Sequence, residues 1–319
     1  MRYAFIINPK SGNGKGGKKI IEALSELKER DDRDIRIYET GGPEDATILA
    51  GSLVREANEA GEEIRIYSCG GDGTSYEVLN GIVGFDNVSL GIVPTGSGND
   101  LLRNFGESEL FKDVEEQLDA ESFPIDILSI EEEGRETKYY LNSLNIGFDG
   151  YTARMANELK RRRIASGTLS YLISVAGSLV KKPGAELRVS ADGELVYDGK
   201  MLLCMVANGG YCGSGFNANP KAVLNDGLVE LFIAEDMSRR RFVNLVPRYR
   251  AGKLLEIEGV ESFTRYLSCK EVCIEPKGGE MAFVVDGESY ESGNIKIKLL
   301  ESAVKLLIPK TISLETEME

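Results

Sequence analysis

Between a strand-like run and a helical one, the chain reads Cys69-Gly70-Gly71-Asp72-Gly73-Thr74. Ile64-Arg65-Ile66-Tyr67 ahead of it carries β-branched and aromatic residues in alternation, and Tyr76 to Val83 behind it sets Val78, Leu79 and Ile82 on one helical face. Few turns constrain a fold more. Glycine loses more backbone freedom on folding than any other residue, roughly 0.5–1 kcal/mol against Ala in regular structure. Glycines at 70, 71 and 73 therefore point to something that approaches the backbone closely. A phosphate chain is the natural guest, because the helix that follows presents unpaired N–H groups and the positive end of its dipole. Asp72 would repel bare phosphate, so it implies a Mg²⁺ ion or a positioned water between them. An ordinary βα turn with spare glycines is the structural alternative.

The surrounding chain predicts where that turn sits. Tyr3–Ile7 is a continuous apolar run of buried parallel-strand type. Helical periodicity over 17–30, a strand over Ile35–Tyr38, a helix over 44–59, the central strand and helix, and a strand over Val88–Val93 follow. Four strand–helix alternations predict an α/β domain with a parallel sheet covered on both faces. Ligands of such sheets bind beyond the carboxyl ends of the strands, and each glycine-rich loop falls at that edge. After Pro124 strand signals dominate: 125–130, 138–148, 186–190, 201–207, 228–234, 271–275 and 282–286, with helical signals only over 151–160, 171–180 and 239–249. The expected organisation is a nucleotide-binding α/β domain over 1–124, an antiparallel β domain over 125–310 and a loose acidic tail over 311–319.

Composition narrows the chemistry. At 319 residues the length fits about two domains. A formal charge of −14 argues against nonspecific nucleic-acid binding, leaving only small basic patches at Arg161-Arg162-Arg163 and Arg239-Arg240-Arg241. The absence of histidine removes His-based triads and most zinc sites, so acid–base work falls to carboxylates, Lys, Tyr or Cys. Five scattered cysteines with no CxxC pair fit a reducing compartment. Strand-like sequence from Tyr3 and the lack of a long apolar run lead to the expectation of a cytoplasmic protein.

Two familiar nucleotide motifs are matched only in letter. Gly12-x-Gly14-x-x-Gly17 fits a dinucleotide fingerprint, but its first glycine comes five positions after Ile7 rather than at the tight strand-to-helix turn. Gly12-x-x-x-x-Gly17-Lys18 resembles a P-loop, yet Lys19 stands where a Ser or Thr would hold Mg²⁺. Three loops read together are more specific: Asn8–Gly12 after the first strand, Gly70–Thr74 after the third and Pro94–Asp100 after the fourth. Each offers small residues, backbone N–H groups and hydroxyls at one sheet edge.

The order of these motifs resembles the diacylglycerol kinase catalytic family, in its soluble bacterial branch related to sphingosine and ceramide kinases. The matching residues are Asn8-Pro9-x-Ser11-Gly12, Thr40 ahead of Asp45-Ala46, Gly70-Gly71-Asp72-Gly73-Thr74 with Glu77, and Pro94-x-Gly96-Ser97-x-Asn99-Asp100. Asp126, Asn142, Gly147-Phe148-Asp149, Asn225-Asp226-Gly227 and Asp286-Gly287-Glu288 extend the likeness along essentially the whole chain. It implies a β-sandwich-like second domain, with the active site between the two domains. By this resemblance ATP would contact Asn8, Pro9, Lys10, Ser11, Gly12, Thr40, Gly71, Asp72, Gly73, Thr74, Ser75, Tyr76, Glu77 and Ser97. Asp72 would hold the catalytic Mg²⁺, largely through water, and Asn99, Asp100, Asp126 and Arg163 would form a supporting network. A second Mg²⁺ would be held by Asp226 and the carbonyls of Val223 and Leu228. Glu288 would be the general base, although the local sequence alone reads Asp286-Gly287 as a hairpin turn and Glu288 as a rim residue. The chain departs from the family pattern at Ser97, where Thr is usual, at Ser75-Tyr76, at Asn225 and at Arg163, commonly Lys.

The activity implied is Mg²⁺-dependent transfer of the γ-phosphoryl group of ATP to a hydroxyl of diacylglycerol or a related lipid. Such an acceptor calls for transient contact with the inner membrane surface, for which Arg161–Arg163 and the apolar face of 171–180 are the candidates; a homodimer is also compatible. An NAD kinase and a nucleotide-binding regulator without turnover are the rival readings.

Overall fold

The computed structural model describes residues 1–96, 99–106, 108–161, 184–213 and 215–312, together with 173, 174, 177, 178 and 181. They divide into two units, Met1–Ile125 with Ser302–Glu319, and Asp126–Glu301.

The first unit runs β1 (Arg2–Ile7), α1 (Gly16–Lys28), β2 (Ile35–Glu39), α2 (Asp45–Glu59), β3 (Ile64–Gly70), α3 (Asp72–Ile82), β4 (Val88–Pro94) and α4 (Val114–Leu118). Its strands are parallel in the order β2-β1-β3-β4, with Ile7 level with Cys69 and Cys69 level with Val93. That register puts the loops after β1, β3 and β4 at one edge. One face buries Phe5, Ile7, Tyr67, Cys69 and Val93 under Ile20, Leu24 and Leu27 of α1 and Val114 and Leu118 of α4. On the other, α2 and α3 cross tightly: a Cβ at Gly81 would lie 2.5 Å from the carbonyl of Thr47 and 2.9 Å from Ala50 Cβ. The helix after the central turn begins earlier than its apolar period suggests. Gly71 is the extended N-cap and Asp72 the first helical residue, so Gly73 and Thr74 lie inside α3 rather than in a loop.

The second unit takes over within β5 (Glu121–Glu131). It continues through β6 (Lys138–Tyr140), β7 (Ser143–Gly147), α5 (Phe148–Arg161), β8 (Ala185–Ala191), β9 (Glu194–Ala207), β10 (Tyr211–Cys212), β11 (Phe216–Asn217) and β12 (Val229–Glu235). After these come α6 (Arg239–Arg250), β13 (Thr264–Cys269), β14 (Glu271–Pro276), β15 (Met281–Val285), β16 (Glu288–Ser292) and β17 (Ile295–Ile308). All pairings within this unit are antiparallel among the described residues, and β9 links β8 at its start to β7 and β12 at its end. Alternate residues Phe232 and Ala234 of β12 and Met205 and Ala207 of β9 face a cluster completed by Phe148 of α5 and Phe242 and Tyr249 of α6.

Three sequence expectations change. The run 138–148 is two strands, broken at Leu141-Asn142 where the backbone turns to another partner. Strands β13 and β16 were not foreseen, because Thr264–Cys269 and Glu288–Ser292 mix polar and apolar residues without a clean alternation. Residues 302–312 belong with the first unit rather than with a domain ending at 310, since Leu306 pairs in parallel with Leu90 and Lys305 Nζ donates to the Asp86 carbonyl at 2.8 Å. The cysteines are all free, as their spacing suggests. Among the described residues no helix is long and apolar enough to cross a membrane.

Gly91 of β4 lies under the ring of Tyr67, which stacks on Phe5 with centroids 4.2 Å apart and donates its hydroxyl to the Gln117 carbonyl at 2.9 Å. A ring held from both sides cannot retreat. We predict that Gly91→Ala lowers stability by about 1–3 kcal/mol, the range for overpacking a filled core. Urea unfolding measures it, and an unchanged midpoint would contradict a fixed Tyr67.

Candidate functional site

At the edge of the first unit the loops are joined through the backbone. The amide of Asn8 donates to Cys69 O at 3.0 Å, and the amides of Thr95 and Gly96 both donate to Gly70 O, at 2.9 and 3.0 Å. Side chains add two links: Thr95 Oγ1 donates to Ser11 Oγ at 2.8 Å, and Asn8 Nδ2 reaches Thr74 Oγ1 at 3.4 Å. Asn8 Oδ1 also accepts from the amide of Lys10 at 3.0 Å, so this asparagine organises the first loop.

The glycines here serve different purposes. Gly12 has φ +58, and a Cβ on it would lie 2.5 Å from Thr95 O. A Cβ on Gly70 would collide with the Thr74 side chain, and one on Gly96 would sit 2.8 Å from Gly71 Cα. Gly12 and Gly96 are required by the packing of loop on loop, and Gly70 by the side chain of Thr74 in α3. Gly71 is not: its φ is −110, open to any residue, and among the described residues an added Cβ would meet only Gly96 Cα at 3.7 Å. Gly71 caps α3, whose first turn carries Asp72 over the positive end of the helix dipole. The edge thus combines a bare backbone position, N-terminal amides and a carboxylate, a chemistry suited to a polyphosphate with its cation.

Several residues expected around the nucleotide have protein partners. Glu77 Oε2 accepts from the amide of Ala46 at 3.2 Å and its carbonyl accepts from Thr47 Oγ1 at 2.8 Å, tying α3 to the start of α2. Ser75 Oγ lies 3.0 Å from Ser68 Oγ and is buried against β3, and Tyr76 is buried too. Thr40 is buried where its amide donates to Ile7 O at 2.9 Å. Pro9, Lys10 and Ser11 remain at the surface or half-buried. Asn99, at φ 152, and Asp100 are buried, with Arg103 Nε 3.4 Å from Asp100 Oδ1. Ser97, Arg163 and the side chain of Arg161 lie outside the described residues, as does most of 171–180.

In the second unit two acidic groups organise loops. Asp126 is buried and its Oδ2 accepts from Gly227 N at 2.8 Å, while its own amide donates to Leu224 O at 2.7 Å. Asn208 Nδ2 donates to the Asp126 carbonyl at 2.7 Å. Asp226 Oδ1 accepts from Leu228 N at 3.0 Å. Loss of hydration and then the neighbouring charge of Asp126 push the Asp226 carboxyl above the usual range, against the pull of that amide. Among the described residues no three acidic, Cys or His side chains gather to hold a metal. A cation here would therefore need carbonyl oxygens, as Val223 and Leu228 would supply, and hard oxygen donors of this kind suit Mg²⁺.

Asp286 was expected only as part of a turn. Its φ of 43 and the 88 of Gly287 make the two-residue loop that pairs Val285 with Glu288. Its buried carboxylate accepts three backbone amides: Leu141 at 2.7 Å, Asn142 at 3.2 Å and Ser143 at 2.9 Å. Those amides break the 138–148 run into two strands and fix the hairpin tip that carries Glu288, itself exposed. The available signal was an Asp-Gly pair after an apolar strand; what it anchors lies far away in the chain. Burial raises the nearby Tyr140 phenol well above its ordinary value, and the charge of Asp286 adds to the effect.

With this geometry in hand, comparison with known proteins is direct. Residues 2–130 match the diacylglycerol kinase catalytic domain, and residues 142–308 match the YegS C-terminal NAD kinase beta sandwich-like domain. The chain belongs to the diacylglycerol kinase catalytic family. It is 28% identical to a diacylglycerol kinase of Mycobacterium tuberculosis over 96% of this chain and 94% of that protein. It is 27% identical to a diacylglycerol kinase of Bacillus subtilis over 79% of this chain and 80% of that protein. A crystal structure of a diacylglycerol kinase from Bacillus anthracis shares the fold at TM-score 0.69 and 21% identity, covering 98% of each chain. Yeast NADH kinase shares it more distantly, at TM-score 0.50 and 11% identity over 96% of this chain. The two-part architecture, a parallel sheet followed by an antiparallel β-sandwich, is thus that of diacylglycerol kinase and NAD kinase folds.

The three amides on Asp286 make it a structural key. Hydrogen bonds to a charged acceptor contribute about 1.5–3 kcal/mol, so Asp286→Asn is predicted to lower stability by about that amount and to expose Leu141–Ser143 to hydrogen exchange. Asn tolerates the same left-handed backbone. Unchanged protection of those three amides would contradict the assignment.

Proposed function

We propose that this member of the family is a lipid kinase that transfers the γ-phosphoryl group of ATP to the hydroxyl of diacylglycerol or a related lipid. The observation that carries the reading is the edge where three loops meet around Gly71, whose missing side chain answers to no close contact among the described residues. Phosphoryl transfer asks a protein mainly for positioning and charge neutralisation. The amides at the start of α3 and the Asn8–Gly12 turn grip the phosphates. Asp72, at the head of α3, orients the cation on them, and Mg²⁺ when bound offsets the charge of the phosphate oxygens. Asp226 with the carbonyls of Val223 and Leu228 would hold a second Mg²⁺ in a structural role.

The acceptor hydroxyl must lose a proton. With no histidine in the chain, a carboxylate is the natural base. We assign this to Glu288, which stands beside a hairpin tip held rigidly through Asp286, so that the carboxylate is carried on a fixed strand rather than a floppy loop. NAD as acceptor is the second reading and draws support only from the shared fold.

Transfer of labelled phosphate from ATP to diacylglycerol in mixed micelles tests the proposal. Wild-type protein is expected to label the lipid, and Glu288→Gln to lower kcat by roughly 10²–10⁴, the range for losing a general base. The melting temperature should hold, because Glu288 is exposed. Label appearing in NAD and in no lipid would overturn the acceptor, and full turnover by Glu288→Gln would remove that residue from the chemistry.

A further inference from the structure

One element of the second unit is out of character with an acidic chain. From Met237 to Leu255 the sequence holds no acidic residue but six cations, Arg239, Arg240, Arg241, Arg248, Arg250 and Lys253, within a protein of net charge −14. Most of them lie on α6. The helix buries Phe242 and Tyr249 and turns Arg240, Val243, Asn244, Pro247 and Arg248 outward.

Local helix energetics explain only part of this. Arg248 and Arg250 in the last turn suit the negative end of the dipole, but three arginines in the first turn, with no acidic residue among them, oppose its positive end. Arg241 and Arg250 are partly accounted for by aromatic partners, lying 3.9 Å from the Phe263 ring and 5.5 Å from the Phe216 ring. Arg240 and Arg248 are both exposed. Between them Val243 is 47% exposed, an apolar side chain on a cationic face.

We propose that the outward face of α6 docks this chain on anionic phospholipid membranes. Cations that flank an exposed apolar side chain suit a bilayer surface, where the arginine stems lie along the acyl boundary and the guanidinium groups meet phosphate. Charge complementarity commits the face to this occupant. A nucleic acid would need a broader basic field than one helix on a strongly acidic chain provides. The inference rests on the lipid-kinase reading for its purpose, because such an enzyme must meet its acceptor at a bilayer, but its test does not need turnover.

The test is co-sedimentation with vesicles of phosphatidylcholine mixed with phosphatidylglycerol, against phosphatidylcholine alone. Wild-type protein should pellet with the anionic vesicles and be released by salt. Each cation near such a surface strengthens attachment about five-fold, so Arg240→Gln with Arg248→Gln should weaken it roughly 25-fold, and charge reversal to Glu more. Melting curves should stay unchanged, since both side chains are exposed. Turnover of a short-chain diacylglycerol below its micellar concentration should also be untouched in both variants, whereas turnover on vesicles should fall. Equal attachment of wild type and variants, attachment indifferent to anionic lipid, or preferential capture by duplex DNA would each overturn the docking face. If neither form phosphorylated any lipid but the vesicle result held, the docking face would stand and the kinase reading alone would fall.

Discussion

The first unit depends on a small set of backbone contacts at the carboxyl edge of its sheet. One carbonyl, that of Gly70, accepts the amides of both Thr95 and Gly96, while the neighbouring carbonyl of Cys69 accepts the amide of Asn8. Loops that begin on three different strands are thereby locked at close range, and side chains at positions 12 and 96 would force them apart. Parallel pairing with Ile7, Cys69 and Val93 level across the sheet brings the loop starts together. The convergence follows from register, and the glycines let it close. Among the described residues this packing leaves Gly71 bare beside the head of α3.

The second unit uses a buried carboxylate for a comparable purpose. A charge out of water is costly unless its lone pairs are met, and Asp286 meets that condition with three amides from one loop. Asp126 does the same on a smaller scale, gripping Gly227 and taking Asn208 against its carbonyl. The resemblance puts Asp126 in a charged network and the local sequence reads Asp286 as a turn residue; both carboxylates organise backbone. Asp226 lies close enough to this arrangement that the charge of Asp126 adds to the rise in its carboxyl that burial causes first.

Much of the architecture was legible in the sequence. The alternation of apolar strands and 3.6-residue periods set out the parallel sheet, and the glycine-rich loops fall at one edge of it, as that alternation predicts. The start of α3 was not legible, because Asp72-Gly73-Thr74 reads as a turn by composition while the N-cap geometry of Gly71 lets the helix begin there. The three clustered glycines differ in their reasons: Gly70 answers to Thr74, Gly73 sits in the helix, and Gly71 meets no close contact among the described residues. Partners remote in the chain were beyond reach. Nothing local to Glu77 announces the amide of Ala46, and nothing local to Asp286 announces Leu141. The fate of residues 302–312 belongs to the same class, since parallel pairing with β4 leaves no local mark.

The account turns on whether a phosphate chain occupies the space above Gly71, and nucleotide binding to Gly71→Ala tests that most directly. The protein accepts the extra methyl in ordinary contact, so stability should change by no more than about 1 kcal/mol, the scale of an N-cap exchange. Titration with Mg·ATP should show affinity reduced by at least about ten-fold, equivalent to 1.4 kcal/mol. Wild-type affinity in a normally folded Gly71→Ala protein would contradict the claim that this backbone grips the triphosphate.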